Sequence, residues 1–214
     1  MRSRSCGRAL SPKAPRRVGT TRPTSGFTLL ELLAVIGVIA VLTGIVIGVG
    51  RRVAETGRTA RAKAELAALS AALESYKRQY GDYPQTGSVP NQADGMAATG
   101  DGPGILFNAL TGKRGPGATL AQINGRVLVE LAKFALQDPA ALPASGGSAQ
   151  LANAFVDPWE RRYLYAYKTD STWKNPSFLL WSAGPDGKDS ATLAVGGYPD
   201  LAAPENVDNI WVNR

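Results

Sequence analysis

Ser25-Gly26-Phe27-Thr28-Leu29-Leu30-Glu31 opens the stretch that decides the fold, and an apolar run to Gly50 continues it. Phe27 to Gly50 is 24 residues, with Glu31 as its only charge. A run of that length spans a bilayer as a helix, where about 17 residues is the minimum. It is too long for the apolar centre of a secretory signal, and no small-x-small cleavage site closes it. The carboxylate near its start is the anomaly. A charge in hydrocarbon costs at least ~2.5 kcal/mol, so it requires a partner or an escape to the interface. In an ordinary membrane anchor, Glu31 would snorkel to the headgroups.

On the N-terminal side, residues 1–26 carry seven basic residues (Arg2, Arg4, Arg8, Lys13, Arg16, Arg17, Arg22) and no acid. The whole chain has 24 Lys and Arg against 17 Asp and Glu, a net of +7. Without residues 1–26 the count is 17 against 17, so the basic character belongs to that segment alone. A nucleic-acid partner argued from net charge fails at this step. A basic flank predicts a cytoplasmic N-terminus. Arg51, Arg52, Arg58, Arg61 and Lys63, beyond the apolar run, oppose that vote. Arg16-Arg17 suggests a twin-arginine signal, but no apolar run follows closely enough. Cys6 is the only cysteine, so no disulfide forms within residues 27–214.

Gly26-Phe27-Thr28-Leu29-Leu30-Glu31, with the apolar run behind it, resembles the processing motif of the type IV prepilin family. The resemblance implies cleavage between Gly26 and Phe27 by a membrane aspartyl prepilin peptidase, then N-methylation of Phe27. It also implies that Glu31, fifth from the new terminus, meets the N-terminal amine of a neighbouring subunit during filament assembly. A cation in lipid would offset the cost of that carboxylate. The motif decides the orientation, because the family's peptidase needs the leader in the cytoplasm.

Within the run, Ala40, Gly44 and Gly48 recur at every fourth position, the spacing that lets helices approach closely in lipid. Family members often carry a proline near Gly48, and this chain has none there. Beyond Arg52 the pattern becomes amphipathic: Leu66, Leu69, Leu73, Tyr76 and Tyr80 form one apolar stripe. Glu74 stands at helix-pairing distance from Lys77 and Arg78. Gly81 and Pro84 supply the stop. The expectation is one nearly continuous helix from Phe27 to about Tyr80, about 80 Å long.

Residues 82–104 read as an irregular loop. Pro103 to Leu110 forms a short helix closed by Gly112. A second helix is expected from Arg126 to Leu136, with Asn124 as N-cap and Leu128, Leu131 and Ala135 on one face. Asp138 to Gln150 is linker-like. Tyr163, Tyr165 and Tyr167 alternate with Leu164 and Ala166 as in a half-buried strand. Phe178 to Trp181 is a second strand and Ile210-Trp211-Val212 a third. The connections are too short for crossover helices, so the sheet is antiparallel.

Two further pieces resemble the major pseudopilin of type II secretion systems. Asp157-Pro158-Trp159 with Tyr163 and Tyr165 is similar to that family's Asp-Pro-Trp-Gly-x-x-Tyr-x-Tyr segment, with Glu160 in place of the usual glycine. Trp181-Ser182-Ala183-Gly184-Pro185-Asp186-Gly187 resembles its Ser-x-Gly-x-Asp-Gly loop. The resemblance leaves out residues 84–150. It implies a calcium ion held by Asp186 and, near the C-terminus, Asp208 with Asn209; Asp189 and Asp200 are further candidates. Calcium takes six to eight oxygens, many of them from turn carbonyls. The plain alternative is a turn with Pro185 at its second position and Asp186 serving only the turn.

Enzyme chemistry has little to work with. The chain contains no histidine, and residues 27–214 contain no cysteine. No phosphate-cradling glycine loop appears. The expected fold is α+β, a long N-terminal helix packed on a small antiparallel head, as in type IV pilins. Residues 1–26 form a removed leader, 27–80 the helix with its membrane span at 27–50, and 81–214 a periplasmic head. The resemblance implies a homopolymeric pseudopilus in the inner membrane and periplasm that supports protein export. Its partners are prepilin peptidase, the inner-membrane platform and minor pseudopilins, with no nucleic acid. The alternatives are a type IV pilin for adhesion, motility or DNA uptake, and an anchored binding protein that never polymerises.

Overall fold

The computed structural model describes residues 26–117, 121–189 and 196–212, without the side chains of residues 46–51. The leader and Cys6 lie outside the described residues. The chain divides near Gly48 into two compact units.

Helix α1 runs Leu29–Tyr80, so the expected long helix forms as one element. In the first unit its large apolar side chains from Leu29 to Ile45 are all exposed. Among the described residues no helix is long and apolar enough to cross a membrane. The span expected over residues 27–50 reaches into positions 46–50, whose side chains lie outside the described residues.

In the second unit, the stripe read from the sequence becomes the core face of α1. Leu66, Leu69, Leu73 and Tyr76 are at most 1% exposed. They pack against α2 (Gly102–Leu110) and a three-stranded sheet. Asp101 caps α2 by accepting the Gly104 N–H at 2.8 Å. It also pairs with the buried Arg162 guanidinium at 2.6 Å, which ties the loop before α2 to the sheet. Gly112 closes the helix at φ +74°. That is a left-handed conformation, which glycine adopts without a side-chain clash.

Two small antiparallel sheets complete the head. Strands β1 (Ala135–Leu136) and β2 (Phe155–Val156) pair, as do β3 (Leu164–Ala166), β4 (Leu179–Ser182) and β5 (Ile210–Trp211) in that order. Tyr163, Tyr165 and Tyr167 point into the main core. The expectation of a half-buried strand is corrected, because Leu164 and Ala166 are buried too, in a second cluster with Leu179 and Trp181. Trp211 stacks on Trp181 at 4.7 Å between ring centres and covers that far face. The outer edge of β3 is occupied by residues 86–91. Thr86 N–H donates to Tyr167 O at 2.9 Å, and the Asn91 side chain accepts the Tyr165 N–H at 3.3 Å.

The helix expected over Arg126–Leu136 does not form. That segment holds a three-residue 3-10 turn, Leu131–Lys133, and then β1. Leu128, Val129, Leu131, Phe134 and Leu136 all pack against the core, which an extended chain presents along its whole length. Leu128 N–H donates to Leu110 O, and Asn124 donates to Gly146 O instead of capping a helix. A helix as short as this one would be is marginal by itself, and tertiary contacts decide.

Candidate functional site

Three places matter: the start of α1, the seam between α1 and the head, and the loops after β4.

At the start of α1, Thr28 and Glu31 form a capping box. Thr28 N–H and Thr28 Oγ1 both donate to Glu31 Oε2 at 2.9 Å, and Glu31 N–H donates to Thr28 Oγ1 at 3.2 Å. The Thr-x-x-Glu spacing is the sequence signature of this box, and the sequence reading passed over it. It gives the carboxylate local donors within its own chain. Gly26 and Phe27 precede the helix in extended chain, with Phe27 83% exposed. Among the described residues, nothing approaches the positions where a Cβ on Gly37 or Gly44 would lie.

Along the seam, three glutamates of α1 receive donors from aromatic side chains of the second unit. Glu55 accepts from Trp159 Nε1 at 3.0 Å, Glu65 from Tyr163 Oη at 2.7 Å, and Glu74 from Tyr83 Oη at 2.7 Å. Glu65 is buried and also takes the Arg61 Nε–H at 2.7 Å. Burial and the Glu65 carboxylate push the Tyr163 hydroxyl far above the usual tyrosine range. The same two causes, with Glu74 as partner, raise Tyr83 to about 12. Both phenols therefore stay protonated donors. Lys77 lies over the Tyr83 ring at 4.4 Å rather than pairing with Glu74.

The two motifs of the head meet. Buried Asp157 accepts the N–H groups of Trp159 and Arg161 at 2.9 Å and the Ser182 hydroxyl at 2.5 Å. Burial nonetheless holds its carboxyl above the usual range. Glu160, where the related segment has glycine, keeps the turn by adopting φ +67°. Arg161 then reaches into the Gly184–Gly187 loop and donates to Gly184 O at 3.1 Å. Gly187 lies at φ +70°, where a side chain is strained, and a Cβ there would also displace the Arg161 guanidinium.

Of the expected calcium ligands, Asp186 is exposed and accepts the Lys188 N–H at 2.8 Å, a turn-type bond. Asp208 Oδ2 accepts the Asp186 N–H at 3.2 Å. Their carboxylates serve the loop backbone. Among the described residues no three acidic, cysteine or histidine side chains converge. Asp200 caps a turn at Ala202 N–H. Asn209, in contrast, lies beside two loop carbonyls, with Asp189 at the opposite end of its amide. One terminal atom of the buried Asn209 amide lies 3.0 Å from Ala183 O and 3.2 Å from Lys188 O. A nitrogen there donates to both carbonyls; an oxygen there makes a trio of acceptors that a cation would reconcile. Asp189 lies 3.5 Å from the same amide and accepts the Trp181 indole N–H at 2.9 Å. Burial lifts its carboxyl above the usual range.

No curated protein and no solved structure matches the chain. Residues 21–47 match the prokaryotic N-terminal methylation motif. That motif implies prepilin-peptidase processing, inner-membrane anchoring and pilus-type assembly, and it belongs to structural rather than catalytic proteins. The apolar start of α1, with Glu31 held in its first turn, thus carries the N-terminal methylation motif of type IV prepilin-like proteins.

Proposed function

We propose that the chain is a structural subunit of a type II secretion pseudopilus, of the major-pseudopilin kind. Residues 1–26 are the removed leader, 27–80 the helix that anchors and then polymerises, and 81–214 the periplasmic head. Prepilin peptidase cuts between Gly26 and Phe27 and Phe27 is N-methylated. The inner-membrane platform and minor pseudopilins are its assembly partners. The observation that carries this reading is the methylation motif on an apolar segment of α1 whose described large side chains, Leu29 to Ile45, are exposed. The contact between the Asp157-Pro158-Trp159 turn and the Gly184–Gly187 loop supports the choice of a pseudopilin, because both resembling segments build one structural unit.

N-terminal sequencing should begin at methylated Phe27; a terminus elsewhere overturns the processing. Glu31→Ala should insert and be cleaved normally, with filament incorporation lower by about tenfold or more, the loss expected when an ion pair worth at least ~1.4 kcal/mol with the neighbouring amine is removed. Incorporation equal to wild type would leave Glu31 satisfied by Thr28 alone. Electron microscopy of overproducing cells separates the alternatives: a type IV pilin predicts surface fibres with secretion intact on deletion.

Calcium belongs to the same proposal. The expected ligands Asp186, Asp208 and Asn209 lie on neighbouring loops, Asp208 accepting the Asp186 N–H and the Asn209 amide lying beside Ala183 O and Lys188 O, carbonyls of the kind calcium takes. Asn209→Asp tests this. At a cation site the added charge should strengthen calcium binding, so calcium raises the melting temperature of the variant more than that of wild type. If the amide donates instead, the variant loses two hydrogen bonds to buried carbonyls and melts lower whether calcium or chelator is present.

A further inference from the structure

One group of cations lies on the side of the apolar run where the positive-inside rule does not place it. Arg52, Arg58, Arg61 and Lys63 fall within twelve residues, with Glu55 the only acid among them. Their roles differ in the structure. Arg61 is committed to buried Glu65 at 2.7 Å. Arg58 makes a loose 3.9 Å pair with Glu55, both side chains about half exposed. Such a geometry contributes little. Arg52 and Lys63 are exposed and make no ion pair among the described residues. They stand eleven positions apart, about three turns, and so share one flank of α1. Arg58 lies on the other flank, so the cations border the head on both sides.

Trp159 adds a second observation. Its indole N–H bonds Glu55, the first α1 residue after Gly50 whose side chain hydrogen-bonds the head among the described residues. This aromatic turn and the cations therefore sit within about 20 Å of the end of the apolar run, counted along the helix. Tryptophan beside Arg52 at the start of that range is the composition of a headgroup layer, about 5 to 7 Å deep on each side, and Arg58 and Lys63 act on it from beyond through the charge field. From residue 64 onward the balance reverses to 15 acids against 12 bases. Those acids are spread, with Asp94, Glu130, Asp170 and Asp200 on separate loops.

From this we infer that Arg52, Arg58, Lys63 and Trp159 form a collar that seats the head on anionic phospholipid headgroups of the periplasmic leaflet. The inference rests on the membrane anchoring proposed above. The concentration of cations favours a lipid surface over a second copy of the chain, whose acids are dispersed. Leaving the membrane would then require breaking these contacts, so the collar sets how tightly a waiting subunit is retained.

The test uses the processed chain, residues 27–214, in detergent with equal phosphatidylglycerol and phosphatidylcholine, and native mass spectrometry to count retained lipids; processing removes the seven leader cations, which would bind the anionic lipid by themselves. A cation near an anionic surface contributes about fivefold. Wild type should therefore retain phosphatidylglycerol over phosphatidylcholine by about tenfold or more. Combined Arg52→Gln, Arg58→Gln and Lys63→Gln should bring the ratio to about one, as expected when those contributions are removed. Arg52→Lys, Arg58→Lys and Lys63→Arg together should keep it. A ratio near one in wild type, or one unchanged by the glutamines, overturns the collar. So does a wild-type ratio near one combined with loss of copy-to-copy crosslinks in the glutamine variant, which would assign the cations to a second copy. Alkaline extraction of membranes tests anchoring separately: a wild-type chain released by carbonate would refute the anchor, whatever the lipid ratio.

Discussion

Leu29–Ile45 and Ala62–Tyr80 belong to one helix yet differ in what they ask of their surroundings. The first exposes its large apolar side chains, and its side-chain hydrogen bonds are local ones: Thr28 with Glu31, and Thr43 with Ile39 O. The second buries its stripe and holds the head through Glu65 and Glu74. Helix propensity does not separate them, because both are helical throughout. Pattern does: one half is apolar all round and the other along one stripe, and each needs a different cover. The difference teaches that the described first half lacks the cover that the second half obtains from the head.

Substitutions of matching size on the two halves give the largest effect and would break this comparison most directly. Leu69 is fully buried and Leu42 is exposed. Leu69→Ala should cost about 3 kcal/mol in thermal or denaturant unfolding of the head. Leu42→Ala should change head stability by less than about 0.5 kcal/mol. Equal losses would mean that the first half contributes to the head's own stability.

The next effect sharpens the seam. Tyr163→Phe removes a hydrogen bond to the buried Glu65 carboxylate and leaves that group to Arg61. Hydrogen bonds to charged groups are the stronger kind, so this variant should melt lower by about 2 kcal/mol of stability. Trp159→Phe removes a bond to the half-exposed Glu55. Its cost in the same unfolding measurement should be less than about 1 kcal/mol. A larger loss at Trp159 than at Tyr163 would reverse the order of importance along the seam.

The smallest effect concerns the turn that carries Trp159, where Glu160 is held in the left-handed region. Glu160→Gly should stabilise the head by about 0.5 kcal/mol, the strain relieved being partly offset by added freedom in the unfolded chain. A lower melting temperature in this variant would mean that the Glu160 side chain stabilises the turn more than its backbone strains it.

The long helix was legible because its periodicity persists over many turns, so local errors average out. Strands β3 to β5 were legible through the alternation of Tyr163, Tyr165 and Tyr167 and the apolar run from Phe178. Residues 126–136 were misread because Leu128 and Leu131 match a helical spacing that an extended chain also satisfies. The deciding contacts, Leu128 with Leu110 and Leu136 with Phe155, are distant in sequence. The site was legible in kind but not in atoms. Glu31 stood out as a lone charge, and the Thr28 spacing that builds its local capping box was legible beside it. The Asp-Gly turn announced itself, but which loop carbonyls the Asn209 amide meets depends on where β4 and β5 carry Ala183 and Asn209. Neighbouring sequence does not encode that.

The strip of chain along the outer edge of β3 has a consequence for crowding. In the pilus-type assembly that the methylation motif implies, neighbouring copies would present identical strand edges at high local concentration, the condition under which bare edges zip together. Thr86 and Asn91 occupy the β3 edge with side-chain and single backbone bonds. Pro90 denies the strip a continuous row of donors. At the far side β5 is only two residues long. With both edges blunted, sheet-to-sheet fusion is closed as a route of self-association, and ordered growth is left to the helix.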